Sequence, residues 1–188
     1  PGRFEIISHP EIFDGVRVKK GQSLAVIRHN AAAILSCERV ILNLMQRMSG
    51  IATVTRQYVD AVKGTHAQVL DTRKTVPGLR ILDKYAVSCG GGINHRLGLS
   101  DGILIKNNHI SLGGGVEEVL RKATAHRKAG QRIEIEVRTF DELKTALENG
   151  AGALLLDNMS PKDVKKAVKL VKESVMESGQ MVPVEASG

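Results

Sequence analysis

The chain has 188 residues, enough for one good-sized domain or for a domain plus part of another. Its 42% hydrophobic and 25% charged residues exclude a disordered, collagen-like or coiled-coil chain, and no apolar run approaches the roughly 20 residues that a membrane-spanning helix needs. A net charge of +7 with no Trp, two Tyr and three Phe points to an anionic partner but away from single-stranded nucleic acid, whose stacking platforms need several exposed rings.

Short strands are predicted around Ile6-Ile7, Val16 and Val18, and Leu24 and Val26, with turns at Asp14-Gly15 and Lys20-Gly21. A helix follows, its buried face marked by Val40, Ile41, Leu44, Met45 and Met48. Ser49-Gly50 is expected to interrupt it, and Val54, Tyr58, Val59 and Val62 resume helical spacing until Gly64. The rhythm then changes to short apolar runs between helices. The runs are Ala67 to Leu70, Ile103 to Ile105, Ile133 to Val137, Ala153 to Leu156 and Met181 to Val184. Thr139 with Glu142 reads as a capping box, and Gly150 closes that helix. Ser160, Pro161 and Asp163 open the next, whose Lys162, Lys165, Lys166, Lys169 and Lys172 read as a solvated face. Strand-helix-strand repetition with short loops predicts a parallel sheet covered by helices. Cys37 and Cys89 form no CxxC, which argues against a disulfide framework or zinc site and for reduced thiols in a cytoplasmic protein.

Charges mark the ends of four of these runs: Asp71, Arg73 and Lys74, then Lys106, and later Asp157 follow their runs, and Glu136 lies near the end of its own. In parallel α/β folds the C-terminal strand ends carry the site. Glu134, Glu136 and Arg138 also share one face of their strand, opposite Ile133, Ile135 and Val137. A strand inside a parallel sheet is normally apolar throughout, so a charged face needs counter-charges or a polar cavity, unless the strand is an exposed edge. With His95 and Arg96, the cationic members suit a highly anionic small molecule. The carboxylates Glu136 and Asp157 suit Mg²⁺ arriving with substrate phosphates. Gly90-Gly91-Gly92, beside His95 and Arg96, is expected to bring backbone N–H groups to an anion. The run Gly113 to Gly115 is expected to be a flexible turn. No Ser-His-Asp, Cys-His or HExxH arrangement indicates covalent or zinc catalysis.

Ordered motifs along nearly the whole chain resemble the quinolinate phosphoribosyltransferases, the nicotinate-nucleotide pyrophosphorylases that decarboxylate their substrate. They include Glu38-Arg39-Val40-Ile41-Leu42-Asn43, Asp71-Thr72-Arg73-Lys74-Thr75, Gly91-Gly92 to His95-Arg96, and Lys106-Asn107-Asn108-His109-Ile110. Glu134-Ile135-Glu136-Val137, Leu155-Leu156-Asp157-Asn158-Met159 and Glu185-Ala186-Ser187-Gly188 continue the series. The resemblance implies an incomplete α/β barrel at residues 50–188, lacking its last strands, preceded at 1–49 by part of an α/β sandwich domain. It implies the reaction of quinolinate and phosphoribosyl pyrophosphate to nicotinate mononucleotide, pyrophosphate and CO₂, with Mg²⁺, in de novo NAD synthesis.

The resemblance also implies roles. Arg73, Lys74, His95 and Arg96 would hold the quinolinate carboxylates, with Thr72 nearby and Lys106 on the anionic substrates. Glu136 and Asp157 would bind ribose hydroxyls and the metal. Ser187 and Gly188 would begin a loop for the 5′-phosphate. Arg39 would enter the neighbouring subunit's site in a homodimer or larger assembly. Lys74, Lys106, Glu136 and Asp157 would carry the catalysis. Three rivals share some of these features: a nicotinate phosphoribosyltransferase, which needs only one carboxylate site; a molybdenum-transport-associated homologue; and a basic nucleic-acid-binding protein, for which no motif is present. The chain starts at Pro1 and stops within the expected phosphate loop, so it reads as a portion of a longer enzyme, expected to be inactive and poorly soluble alone.

Overall fold

The computed structural model describes residues 3–188. It divides into two compact units, one ending at Leu97 and one spanning Gly98–Gly188.

In the first unit, β1 (Glu5–Ser8) and β2 (Ala25–Arg28) form an antiparallel ribbon with Glu5 opposite Arg28. Val16 and Val18 are not in a strand. The chain between β1 and β2 is spent in turns instead, with Val16 N–H donating to the Phe13 carbonyl at 3.1 Å and Gly15 and Gly21 at φ of 88° and 79°. Helix α1 (Ala31–Ala61) opens on Asn30, whose side chain accepts from Ala32 N–H at 2.9 Å. It runs unbroken through Ser49-Gly50. A lone glycine costs about 1 kcal/mol in a helix, too little to stop one whose two ends both carry helical periodicity. The Ala67 to Leu70 run shrinks to one parallel bridge, Leu70 to Ile93. Helix α2 (Arg80–Cys89) packs on α1 and ends in Gly90-Gly91-Gly92.

That glycine run serves packing rather than anion binding. The three N–H groups are already donated to the carbonyls of Ala86, Ser88 and Val87 at 2.9–3.0 Å. A Cβ at Gly90 would stand 2.6 Å from the Ala52 carbonyl oxygen, and one at Gly92 would stand 2.7 Å from Val87 Cγ1. Close approach of α2 to α1 is what needs glycine here.

The second unit is a four-stranded parallel sheet in chain order: β3 (Ile103–Ile105), β4 (Ile133–Val137), β5 (Ala153–Asp157) and β6 (Val184–Ser187). Its helices are α3 (Asn107–Gly113), α4 (Val116–His126), α5 (Phe140–Glu148) and α6 (Pro161–Ser178). Both predicted caps form: Thr139 Oγ1 accepts from Glu142 N–H at 3.1 Å, and Ser160 Oγ accepts from Asp163 N–H at 3.2 Å. The Gly113 to Gly115 run is a tight built corner. Gly114 ends α3 at φ 98°, and a Cβ on Gly113 would stand 2.2 Å from Val119 Cγ1. The last strand begins at Val184, three residues later than the Met181 run suggests; Met181 itself is exposed.

Ile105, Ile135, Val137, Leu154 and Leu156 pack in one apolar core with Leu120 of α4, Leu143 of α5 and Val171 of α6. All of these helices therefore cover one face of the sheet. Strands that neighbour each other in chain order, with helices on a single face, are the geometry of an α/β barrel segment rather than of a doubly wound sheet. β4 lies between β3 and β5 with all five residues buried, so its charged face is interior and the exposed-edge alternative falls.

Candidate active site

The first unit assembles its cations on two adjacent segments. Ile93 N–H donates to the Val69 carbonyl at 2.9 Å and Asp71 N–H to the Ile93 carbonyl at 3.1 Å, which sets residues 69–71 beside 93. Thr72 Oγ1 then accepts from Lys74 N–H at 3.0 Å, and Thr75 N–H donates to the Arg73 carbonyl at 2.9 Å. This tight turn presents Arg73 half-buried and Lys74 exposed. Arg73 Nε is buried with no hydrogen-bond partner among the described residues. A guanidinium N–H left so is suited to an arriving carboxylate. His95 and Arg96, half-buried, follow the second segment.

Three groups that sequence reasoning missed hold this region. Arg47 on α1 grips Asp83 on α2 in a two-pronged ion pair, at 2.8 and 2.7 Å. Asp83 also accepts from Val76 N–H at 3.2 Å, which ties the 72–79 loop to α2. The hydrogen bonds from Arg47 hold the Asp83 carboxyl below the usual range, against the opposing effect of burial and with help from Val76. Arg80 reaches Thr75 Oγ1 at 3.1 Å and the Leu97 carbonyl at 3.3 Å. Lys84 pairs with Asp71 in the interior. The partners of Arg47 and Lys84 are 36 and 13 residues away in the chain, beyond any periodicity or cap.

In the second unit, register does the work. Glu136 lies opposite Leu155, and Leu155 opposite Glu185, so Glu134, Glu136, Asp157, Glu185 and Ser187 share the sheet face that the apolar core does not use. Ile105 lies opposite Ile135, which puts Lys106 level with Glu136 at the C-terminal strand ends. Lys106 caps α3, and its N–H donates to His109 Nδ1 at 2.9 Å. Glu136 is buried, while Lys106 is exposed.

Asp157 is held by Arg138 Nε at 3.0 Å, Asn158 Nδ2 at 3.0 Å and Ser187 Oγ at 3.4 Å. Burial pushes its carboxyl upward, but these partners together outweigh burial and keep it below the ordinary carboxylate range. Asn158 takes a left-handed φ of 55° and donates its N–H to the Ser187 carbonyl at 2.8 Å. A Cβ on Gly188 would stand 3.2 Å from Asn158 Cα, so the 187–188 backbone closes on the end of β5. Arg39 stands apart, exposed on α1 where Leu35, Val40 and Leu42 are exposed as well.

Glu136 and Asp157 are hard oxygen donors on one face of adjacent strands, and Asp157 is kept ionised. That donor set would suit Mg²⁺, and with three partners already on Asp157 the ion would be held largely through water.

The fold and these residues define an α/β-barrel protein with charged groups gathered at strand ends. Its family is settled by comparison. The model of the quinolinate phosphoribosyl transferase C-terminal domain matches residues 51–188, and that of the N-terminal domain matches residues 5–49. The chain belongs to the quinolinate phosphoribosyltransferase family. A probable nicotinate-nucleotide pyrophosphorylase (carboxylating) of Bacillus subtilis (strain 168) is 46% identical over 162 residues, covering 86% of this chain and 56% of that protein. The nicotinate-nucleotide pyrophosphorylase (carboxylating) of Mycobacterium leprae (strain TN) is 48% identical over 158 residues, covering 83% and 55%. The crystal structure of NadC from Streptococcus pyogenes superposes with a TM-score of 0.88 at 36% identity, covering 98% of this chain and 62% of that one. The chain thus spans about half the length of the curated relatives it matches.

Proposed function

We propose that this chain supplies the substrate-binding and catalytic residues of a pentosyltransferase that joins phosphoribosyl pyrophosphate to quinolinate, releasing pyrophosphate and CO₂ and forming nicotinate mononucleotide in de novo NAD biosynthesis. The observation that carries the reading is the strand register. Glu136, Asp157 and Ser187 share one sheet face at the C-terminal ends, and Lys106 is level with them. In the first unit the Arg73 Nε without a partner supports a dicarboxylate ligand. We read residues 1–49 as part of the N-terminal domain and 50–188 as the barrel domain, in a cytoplasmic enzyme; no helix among the described residues is long and apolar enough to cross a membrane.

In this reading Arg73, Lys74, His95 and Arg96, with Thr72, bind and orient the two carboxylates. The ring nitrogen of quinolinate attacks the anomeric carbon, and the bond to the pyrophosphate oxygen breaks with its electron pair leaving on pyrophosphate. The ribosyl centre becomes cationic on the way, and Glu136 and the ionised Asp157 stabilise it. Lys106 neutralises charge on the anionic substrates, and Ser187 and Gly188 hold the 5′-phosphate. Mg²⁺, when bound at Glu136 and Asp157, supplies positive charge to the pyrophosphate and ribose oxygens. No protein nucleophile is required. The ring nitrogen is then a cation, and the bond from the adjacent ring carbon to its carboxylate breaks with the electron pair retained on that carbon, which takes a proton as CO₂ departs.

CO₂ release from quinolinate that depends on phosphoribosyl pyrophosphate and is lost on magnesium chelation tests this reading in the intact protein. Turnover of nicotinate without CO₂ would replace it with the monocarboxylate transferase. Arg39 is read as entering the site of a second copy, in a homodimer or larger assembly. The exposed apolar neighbours Leu35, Val40 and Leu42 support a covered face there. An equal mixture of Arg39→Ala and Lys106→Ala proteins should then recover about a quarter of wild-type activity after subunit exchange, because each mixed dimer has one intact site. No recovery after demonstrated exchange would refute the shared site.

A further inference from the structure

Resting on the functional reading above, we propose that Asp71 and Lys84 form a buried clamp on the peptide groups of residue 95, acting as positioning residues that fix the dicarboxylate-binding segments against each other. The side chains of Lys84 and Asp71 are 4% and 6% exposed and pair directly. Asp71 Oδ1 accepts from Lys84 Nζ and from the His95 N–H at 2.8 Å. Lys84 Nζ also donates to the His95 carbonyl at 3.0 Å. One ion pair therefore holds both polar groups of a single residue's backbone. Asn94, with its amide nitrogen turned inward, adds a bond to Asp71 Oδ2 at 2.8 Å and one to the Lys84 carbonyl at 2.9 Å.

Asp71 sits at the junction of the two segments. Its carboxylate anchors residue 95, immediately before Arg96, while its own backbone leads into Thr72, Arg73 and Lys74. Any drift of Asp71 moves the Arg73 turn relative to His95 and Arg96. A buried ion pair gains little net stability over an apolar pair of equal volume, because desolvation offsets the attraction. An apolar pair cannot, however, hold an N–H and a carbonyl of one residue together. The ion pair thus supplies orientation, and two carboxylates on adjacent ring carbons are a ligand that demands it.

The test uses the intact protein and benzene-1,2-dicarboxylate, which has both carboxylates but no ring nitrogen to react. In the double variant Asp71→Asn with Lys84→Met, no lone charge is buried and an acceptor remains for His95 N–H, but the donor to the His95 carbonyl is gone. It is expected to stay folded and to bind the dicarboxylate about tenfold more weakly in calorimetry. Its KM for quinolinate should rise by a similar factor while its KM for phosphoribosyl pyrophosphate stays at the wild-type value. Wild-type dicarboxylate affinity in the folded variant, or an equal rise in both KM values, overturns the clamp. Should the double variant not fold, Asn94→Ala at an exposed position decides. About threefold weaker dicarboxylate binding, the size of one modest hydrogen bond, supports the clamp, and unchanged binding overturns it. A wild-type protein that binds no dicarboxylate overturns the functional reading and the clamp with it. Binding that is equal in wild type and variant overturns the clamp alone.

Discussion

Among the described residues up to Leu97, Ala86 is the one fully buried hydrophobic side chain, whereas Gly98–Gly188 buries Leu120, Ile135, Leu143, Leu154 and Leu156 at 1% exposure or less. The first region buries Asp83 and Lys84 instead and leaves Ile6, Leu35, Val40 and Tyr58 exposed. An apolar core is non-directional and tolerates charge changes at its rim. A region ordered by ion pairs holds its loops in defined positions but depends on each partner remaining charged. Arg73, Lys74, His95 and Arg96 lie in the second kind of environment, and Lys106, Glu136 and Asp157 at the rim of the first kind.

The largest test asks whether both regions serve one chemistry. Arg73→Ala and Lys106→Ala are each expected to cut nicotinate mononucleotide formation at least about a hundredfold while the circular dichroism spectrum stays unchanged. Full activity in either variant would confine the chemistry to the other region. Next in size is Leu154→Ala, which should cost about 3 kcal/mol in urea unfolding because it opens a cavity at a fully buried position of the apolar core. A similar loss on truncating exposed Leu35 would show that the contrast in packing is wrong.

The third test is pH. Asp83 has a folded pKa below its unfolded one, so its contribution is complete above about pH 4 and is lost as pH falls through the folded value. The melting midpoint should therefore drop in acid, and Asp83→Asn should be less stable at neutral pH with a flatter acid limb. An unchanged limb would remove Asp83 from the account. The smallest effect is Gly50→Ala. Gly50 has open space where a Cβ would stand, so the exchange should raise stability by up to about 1 kcal/mol if α1 is one helix. A loss of stability would restore the break expected at Ser49-Gly50.

Much of the second region was legible in advance. Its strands, its capping residues and the charges Lys106, Glu136 and Asp157 at the ends of β3, β4 and β5 are short-range features, and parallel strands in chain order bring those charges to one end of the sheet. The alternation of Glu134 and Glu136 with Ile133, Ile135 and Val137 was legible as well, but whether that polar face was interior depended on β4 having neighbours on both sides. Less of the first region could be read. Val16 and Val18 have strand-forming side chains but no strand to pair with, and pairing is a property of the neighbour. The Gly90 to Gly92 run beside His95 and Arg96 suits an anion only if its N–H groups are free, and the folded chain donates them to the turn of α2.

Local spacing and ordered motifs carry the family, the α/β rhythm, the helix caps and the identity of the charged residues at the strand ends. Tertiary structure alone decided that Arg47 meets Asp83, that Lys84 meets Asp71 on the backbone of residue 95, and that Asp157 stays ionised between Arg138, Asn158 and Ser187. Those outcomes depend on which distant groups share a desolvated space, where a charge is stabilised only by the partner the fold brings to it.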